Sequence, residues 1–195
     1  MSTDSVNPNR RRILNWTASV VGAVGVGYAA VPFIRSMSPS ASVQAQATEK
    51  VDISRIQPGQ RVTVMWQGKP VWVVRRTEEM LASLEDPKVV EQLKDPESQV
   101  SEQPGFAENK YRSREPEWLV MVAICTHLGC VPDYRPEPGG GFWTNWEGGF
   151  FCPCHGSGYD LAGRVMAGSP APRNMPVPFY EFISDSELRI GKAPA

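Results

Sequence analysis

Every cysteine and every histidine of this chain falls in one of two short boxes, C-T-H-L-G-C at residues 125–130 and C-P-C-H-G-S-G-Y-D at residues 152–160. Four sulfur ligands and two imidazoles confined in this way point to one metal centre. Structural zinc is the simplest centre to consider, but its ligand pairs usually stand roughly two to four residues apart so that both side chains reach one ion tetrahedrally. Cys125 and His127 have a single residue between them, while Cys152 and His155 have Pro153 and Cys154 between them. A Cys-x-His step is more natural when its two side chains serve different ions, with one cysteine and one histidine from each box spanning a metal pair. Zinc would also leave Cys130 and Cys154 over; in an exported domain two such thiols can be oxidised to each other. A domain built on disulfides alone would explain neither histidine.

Such loops need a rigid scaffold, and from Val51 onward the sequence supplies strands. R-V-T-V-M-W at residues 61–66 and P-V-W-V-V-R-R at residues 70–76 are rich in β-branched and aromatic residues, and Gln67-Gly68-Lys69 between them reads as a hairpin turn. Further strands are expected at residues 118–124, 142–146 and 149–152, and at 179–190 with a break at Asp185-Ser186. Short strands punctuated by Gly and Pro predict a mainly β fold, an antiparallel sandwich or barrel. Residues 77–116 interrupt this pattern as a polar, proline-punctuated insertion. Thr77 is placed to cap a helix that opens with Glu78 and Glu79 and carries Met80, Leu81 and Leu84. No chemistry is visible in that insertion, and no internal repeat is present.

With 195 residues the chain can bury one sizeable core plus an appended segment, and a net charge of -1 argues against a nucleic-acid binder. The charge is uneven: Arg10, Arg11, Arg12 and Arg35 face only Asp4 in the first 35 residues. Between the arginines, residues 13–34 carry no charge. As a helix this stretch spans about 33 Å, enough to cross a bilayer. Three arginines before it and one after it predict residues 1–12 in the cytoplasm and the bulk of the chain exported. A cleaved signal peptide is the competing reading, with Ala45-Gln46-Ala47 imitating a cleavage site, but the apolar run is longer than a signal core. N-R-R-R-I-L-N at residues 9–15 is similar to a twin-arginine export signal, although Asn9 and Asn15 depart from its usual flanks. Residues 35–50 are small, polar and aperiodic, a flexible tether between the anchor and a domain at residues 51–195.

The two boxes resemble the cluster-binding motif of Rieske 2Fe-2S proteins, specifically the disulfide-containing kind of quinol-oxidising cytochrome bc complexes. The resemblance extends to the anchor, the tether, the insertion and a proline-rich loop, and it implies a Rieske-type β-sandwich with a small cluster-binding subdomain at about residues 125–172. It further implies that Cys125 and Cys152 hold one iron of a 2Fe-2S cluster, that His127 and His155 hold the other, and that Cys130 pairs with Cys154. One departure is visible: the family's G-P-A-P loop is here Gly168-Ser169-Pro170-Ala171-Pro172. The resemblance assigns the Ser157 hydroxyl to a bridging sulfide and the Tyr159 hydroxyl to a cysteine sulfur. It assigns Leu128 to shielding the cluster at a docking tip, and His155 to contact with quinol. Gly129, Gly156 and Gly158 read as turn residues that let the backbone fold tightly around the irons.

The ligand set has its own consequence. Two ferric ions, two sulfides and two thiolates are formally neutral, so the centre accepts an electron more readily than a four-thiolate cluster does. A ring on ferric iron also loses its remaining proton more easily than one on the reduced centre, which couples electron uptake to proton uptake. The reading that follows from the resemblance is an iron-sulfur subunit of a proton-translocating quinol:cytochrome c oxidoreductase. Its implied partners are ubiquinol, cytochrome b and cytochrome c1, in a dimeric complex of a bacterial inner membrane with the Rieske domain on the periplasmic side. The alternatives are a soluble Rieske ferredoxin, against which the apolar segment and the additional cysteine pair both argue, and the small Rieske subunit of a periplasmic molybdenum oxidase.

Overall fold

The computed structural model describes residues 7–38, 47–140 and 143–191. It divides into two compact units, Met1–Gln44 and Ala45–Ala195. Among the described residues the first contains one helix, α1 (Pro8–Ser36), which is longer than the apolar run because it also takes in the arginines at its start. Asn7 caps it by accepting the Asn9 and Arg10 N–H groups at 3.0 and 3.4 Å, and Pro8 sits at the first position, where no N–H is needed. The helix is long and apolar enough to cross a membrane, and none of its residues is buried. Ile13, Leu14, Trp16 and Val26 are exposed on different faces, a distribution suited to lipid rather than water. Residues 39–46, half of the expected tether, lie outside the described residues.

Among the described residues, the second unit is built from three antiparallel three-stranded sheets. Strands β2 (Arg61–Trp66), β3 (Lys69–Arg75) and β4 (Trp118–Val122) form the middle sheet. Gln67 and Gly68 both take left-handed conformations, φ 50° and 73°, and the pairing of Trp66 with Lys69 makes the turn a two-residue type I′ hairpin. Four consecutive residues of β3, Val71 to Val74, are buried, as are Leu119 to Val122 in β4. Such runs arise when both faces of a sheet are covered, since alternate side chains point opposite ways.

Val71, Val73, Val120 and Val122 pack on one side against Val51, Tyr180, Leu188 and Ile190. Those residues come from or adjoin the sheet of β1 (Glu49–Asp52), β8 (Tyr180–Ser184) and β9 (Glu187–Ile190), and the pair of sheets is the sandwich. On the other side Trp72, Val74, Leu119 and Met121 pack against Phe150, Tyr159, Val165 and Met175. This second core seats the third sheet, β5 (Asp133–Arg135), β6 (Gly149–Cys152) and β7 (Ser157–Tyr159), with the Phe150 ring stacked on Trp72 at 5.0 Å between centroids. Burying two large rings there fixes where the chain leaves β6, at Cys152.

The insertion is helical in part. Thr77 accepts the Met80 N–H at the start of α2 (Glu78–Ser83), and Asp86 caps a further turn, α3 (Pro87–Val90), by accepting the Lys88 N–H. Two expectations are corrected. Residues 143–146 form a turn rather than a strand: Asn145 adopts φ 53°, which a strand cannot accommodate, while Phe142 lies outside the described residues. Gly158 is not a turn residue but the centre of β7; it has to be glycine because a Cβ there would run into the Trp143 indole.

Candidate metal centre

Both boxes are closed by their own backbones before any side chain is considered. In the first, the Cys125 N–H donates to the Cys130 carbonyl at 2.7 Å and the Gly129 N–H to the Cys125 carbonyl at 3.1 Å. The second is a hairpin: β6 ends at Cys152, β7 begins at Ser157 directly opposite, and the Gly156 N–H returns to the Cys152 carbonyl at 2.9 Å. Gly129 and Gly156 turn these loops at φ 86° and 77°, which side-chain-bearing residues rarely adopt. A disulfide between Cys130 and Cys154, with Cα atoms 6.8 Å apart, joins the two loops.

That bond leaves Cys125 and Cys152 as free thiols, each only 2 % exposed, at the end of the second core. The sulfurs of Cys130, Cys152 and Cys154 lie within 4.8 Å of one another, but two of them share a bond, so only Cys152 of the three remains a thiolate donor. Burial pushes the Cys152 thiol above the ordinary range, and the neighbouring Cys125 sulfur pushes it further. A bound cation reverses that preference by stabilising the thiolate. The His127 and His155 rings meet edge to face, centroids 4.7 Å apart, with His155 exposed. His127 Nδ1 is buried without a hydrogen-bond partner among the described residues, a state expected of a metal-ligating nitrogen. Two buried thiols, two imidazoles and an orphaned ring nitrogen fit a 2Fe-2S cluster held by two cysteines and two histidines. Leu128 stands 71 % exposed at the tip of the first loop.

Ser157 and Tyr159 rise from β7 beneath the loops. The Tyr159 hydroxyl lies 3.1 Å from Cys125 Sγ and accepts the Thr126 N–H at 3.1 Å. Burial and then the contact with Cys125 raise its pKa, so it stays a protonated donor. The buried Ser157 Oγ accepts the Ala171 N–H at 3.1 Å, and its own proton has no acceptor among the described residues. The loop departing from the family pattern packs here too: the Ser169 hydroxyl accepts the Gly158 N–H at 3.1 Å and faces the Gly158 carbonyl at 3.3 Å.

Reading the sequence missed three supports of this site. Thr126 donates its hydroxyl to the Arg173 carbonyl at 2.6 Å, tying the first loop to the chain beyond the proline loop. Asp160 forms a 2.6 Å ion pair with Arg164, both side chains 2 % exposed, and also accepts the Ala162 and Arg164 N–H groups. The D-x-x-x-R spacing was legible, but its burial was not. Arg76 and Arg112 are buried nearby, and burial draws each down to about 10, which leaves both charged at neutral pH. They donate to main-chain carbonyls, Arg76 to those of Pro116, Tyr111 and Leu161, and Arg112 to those of Ala162 and Gly163. The insertion is thereby fastened to the segment after the second box.

Two family models match the chain: the Rieske [2Fe-2S] domain over residues 90–181, and the ubiquitinol-cytochrome c reductase Fe-S subunit TAT signal over residues 1–40. The ubiquinol-cytochrome c reductase iron-sulfur subunit of Allochromatium vinosum is 52 % identical, over 98 % of this chain and 93 % of its own length. The subunit of the same name from Rhodospirillum rubrum is 43 % identical over 97 % and 96 %, and that from Blastochloris viridis 42 % over 100 % and 99 %. Among solved structures, a chain of a hyperthermophilic respiratory Complex III superposes with a TM-score of 0.50 at 25 % identity, covering 89 % of this chain and 98 % of that one. With identity of this order along nearly its full length and both boxes inside the matched domain, the chain belongs to the family of ubiquinol-cytochrome c reductase iron-sulfur subunits.

Proposed function

We propose that the chain takes one electron and one proton from ubiquinol held by a cytochrome b subunit and delivers the electron to cytochrome c1. It does so within a dimeric complex anchored by α1 in a bacterial inner membrane, with the domain on the periplasmic side. The observation that carries this reading is the pairing of a buried, orphaned His127 nitrogen with an exposed His155 at the tip of a domain whose thiols are buried. Cys125 and Cys152 would hold one iron and His127 and His155 the other. When bound, the cluster supplies a one-electron acceptor of raised potential, because two neutral imidazoles replace two thiolates.

The remaining work falls to the chain's own groups. His155 presents the ring nitrogen that does not hold iron to the hydroxyl of a quinol and receives its proton there. Leu128 and the disulfide exclude water from the other side of the tip. Ser157 and Tyr159 direct their hydroxyl protons at sulfur, favouring the state with one more negative charge. The three arginines near the start of α1, Arg10 to Arg12, hold its amino end in the cytoplasm.

Isolation of the tagged full-length chain from detergent-solubilised membranes tests the assignment. Co-isolation with b- and c-type haem and ubiquinol-dependent cytochrome c reduction is expected. A molybdopterin subunit in their place would overturn the reading in favour of a molybdenum oxidase.

A further inference from the structure

The proline loop has a hydrogen-bonding problem that its own backbone cannot solve. Pro170 and Pro172 carry no N–H, so the segment cannot pair as a strand, and its carbonyls need donors from elsewhere. Lys94, from the insertion that carries no ligand, supplies them: its Nζ donates to the Ser169 carbonyl at 2.7 Å and to the Ala171 carbonyl at 2.8 Å. The lysine is set in place by its backbone. The Lys94 N–H donates to the Val165 carbonyl at 2.9 Å, the Ala167 N–H to the Gln92 carbonyl at 2.6 Å, and Leu93 bridges Met166 between them. Leu93 and Met166 are both buried in one cluster with Trp146, so only the lysine side chain remains to be ordered.

The residues Lys94 holds are those that touch β7. The Ala171 N–H occupies one lone pair of Ser157 Oγ, and the Ser169 hydroxyl grips the backbone of Gly158, between Ser157 and Tyr159. A serine hydroxyl turns freely about its C–O bond unless a donor fixes its oxygen. With Ala171 in place, the Ser157 proton is directed away from the loop; with Ala171 displaced, it can turn toward other acceptors.

We propose that Lys94 is a positioning residue for the metal centre, latching the 168–172 loop so that Ala171 holds the Ser157 hydroxyl in its donating orientation. The inference rests on the reading of Ser157 as a donor to the bound cluster. It gives the insertion a part in setting the potential without contact with the centre.

The test is a double-mutant cycle in the intact complex, reading the midpoint potential by redox titration followed by electron paramagnetic resonance. Lys94→Met is expected to lower the potential by less than Ser157→Ala does and to broaden the spectrum. Lys94→Arg, which keeps two donors, is expected to stay close to wild type. In the Ser157→Ala background, Lys94→Met is expected to produce no further shift, because the group it positions is gone. An unchanged potential in Lys94→Met overturns the latch. So does an equal shift in both backgrounds, since a lost charge acting through space is additive. If Ser157→Ala itself leaves the potential unchanged, the reading of Ser157 fails first and the latch falls with it. Should Lys94→Met not retain the cluster, hydrogen exchange at the Ala171 N–H in the cluster-free chains decides the matter: faster exchange than in wild type supports the latch, and equal exchange overturns it.

Discussion

The Tyr159 hydroxyl has one proton and two candidates for it, Cys125 Sγ at 3.1 Å and Thr126 Oγ1 at 3.2 Å. Thr126 already gives its own proton to Arg173, so its oxygen is able to accept, but a thiolate is the stronger acceptor and a charge-assisted bond the stronger bond. On the proposed reading, with iron bound the proton would go to sulfur, and more firmly once an electron had been added. A preference of about 1 kcal/mol for the reduced state corresponds to roughly 40 mV for one electron. Tyr159→Phe and Ser157→Ala are each expected to lower the midpoint potential by that order while keeping the cluster, as read by potentiometric titration. An unchanged midpoint in both variants would remove these two residues from the account. The proposed roles rest on position as well as type: Ser157 and Tyr159 sit on the same face of β7 because one residue stands between them, and strand residues alternate.

That intervening residue moves the argument to the scale of elements. Gly158 lies against the Trp143 indole and has no room for a Cβ. Gly158→Ala is expected to cost about 1–3 kcal/mol through overpacking and to loosen the β6–β7 hairpin, measured as a lower thermal midpoint together with faster loss of cluster absorbance. Where sequence reading succeeded and failed follows a physical pattern. β2, β3 and the 149–152 strand were legible because a buried strand is an unbroken or alternating apolar run bounded by turns. β5 and β7 were not, being three residues long, with no apolar run to mark either; the burial of β7 comes from its neighbours rather than from its own hydrophobicity. The strand expected at residues 142–146 does not form, because Trp143 is committed to packing on Gly158 and Asn145 turns the chain away. The insertion looked chemically silent because its contributions, Lys94, Arg76 at its border and Arg112, act on carbonyls of a distant loop. No spacing rule reveals such contacts.

For the whole molecule, the candidate ligand set was readable because all six soft side chains are gathered in two boxes, whereas the supports around it depend on folding. The amino-terminal unit was also readable, since an uncharged run flanked by arginines is a statement about length and charge alone. Replacing Arg10 and Arg11 together by lysine keeps the charge and removes the paired guanidinium groups. Export is expected to fail, leaving the domain protected from protease added to spheroplasts, whereas undiminished digestion would show that the pair is not the export signal. The central claim is that two histidines and two cysteines share one 2Fe-2S cluster. Pulsed electron paramagnetic resonance of the reduced protein tests it most directly: couplings to two imidazole nitrogens are expected, both lost in a His127→Ala, His155→Ala double variant. A cluster signal without nitrogen coupling, or stoichiometric zinc with no signal, would contradict it.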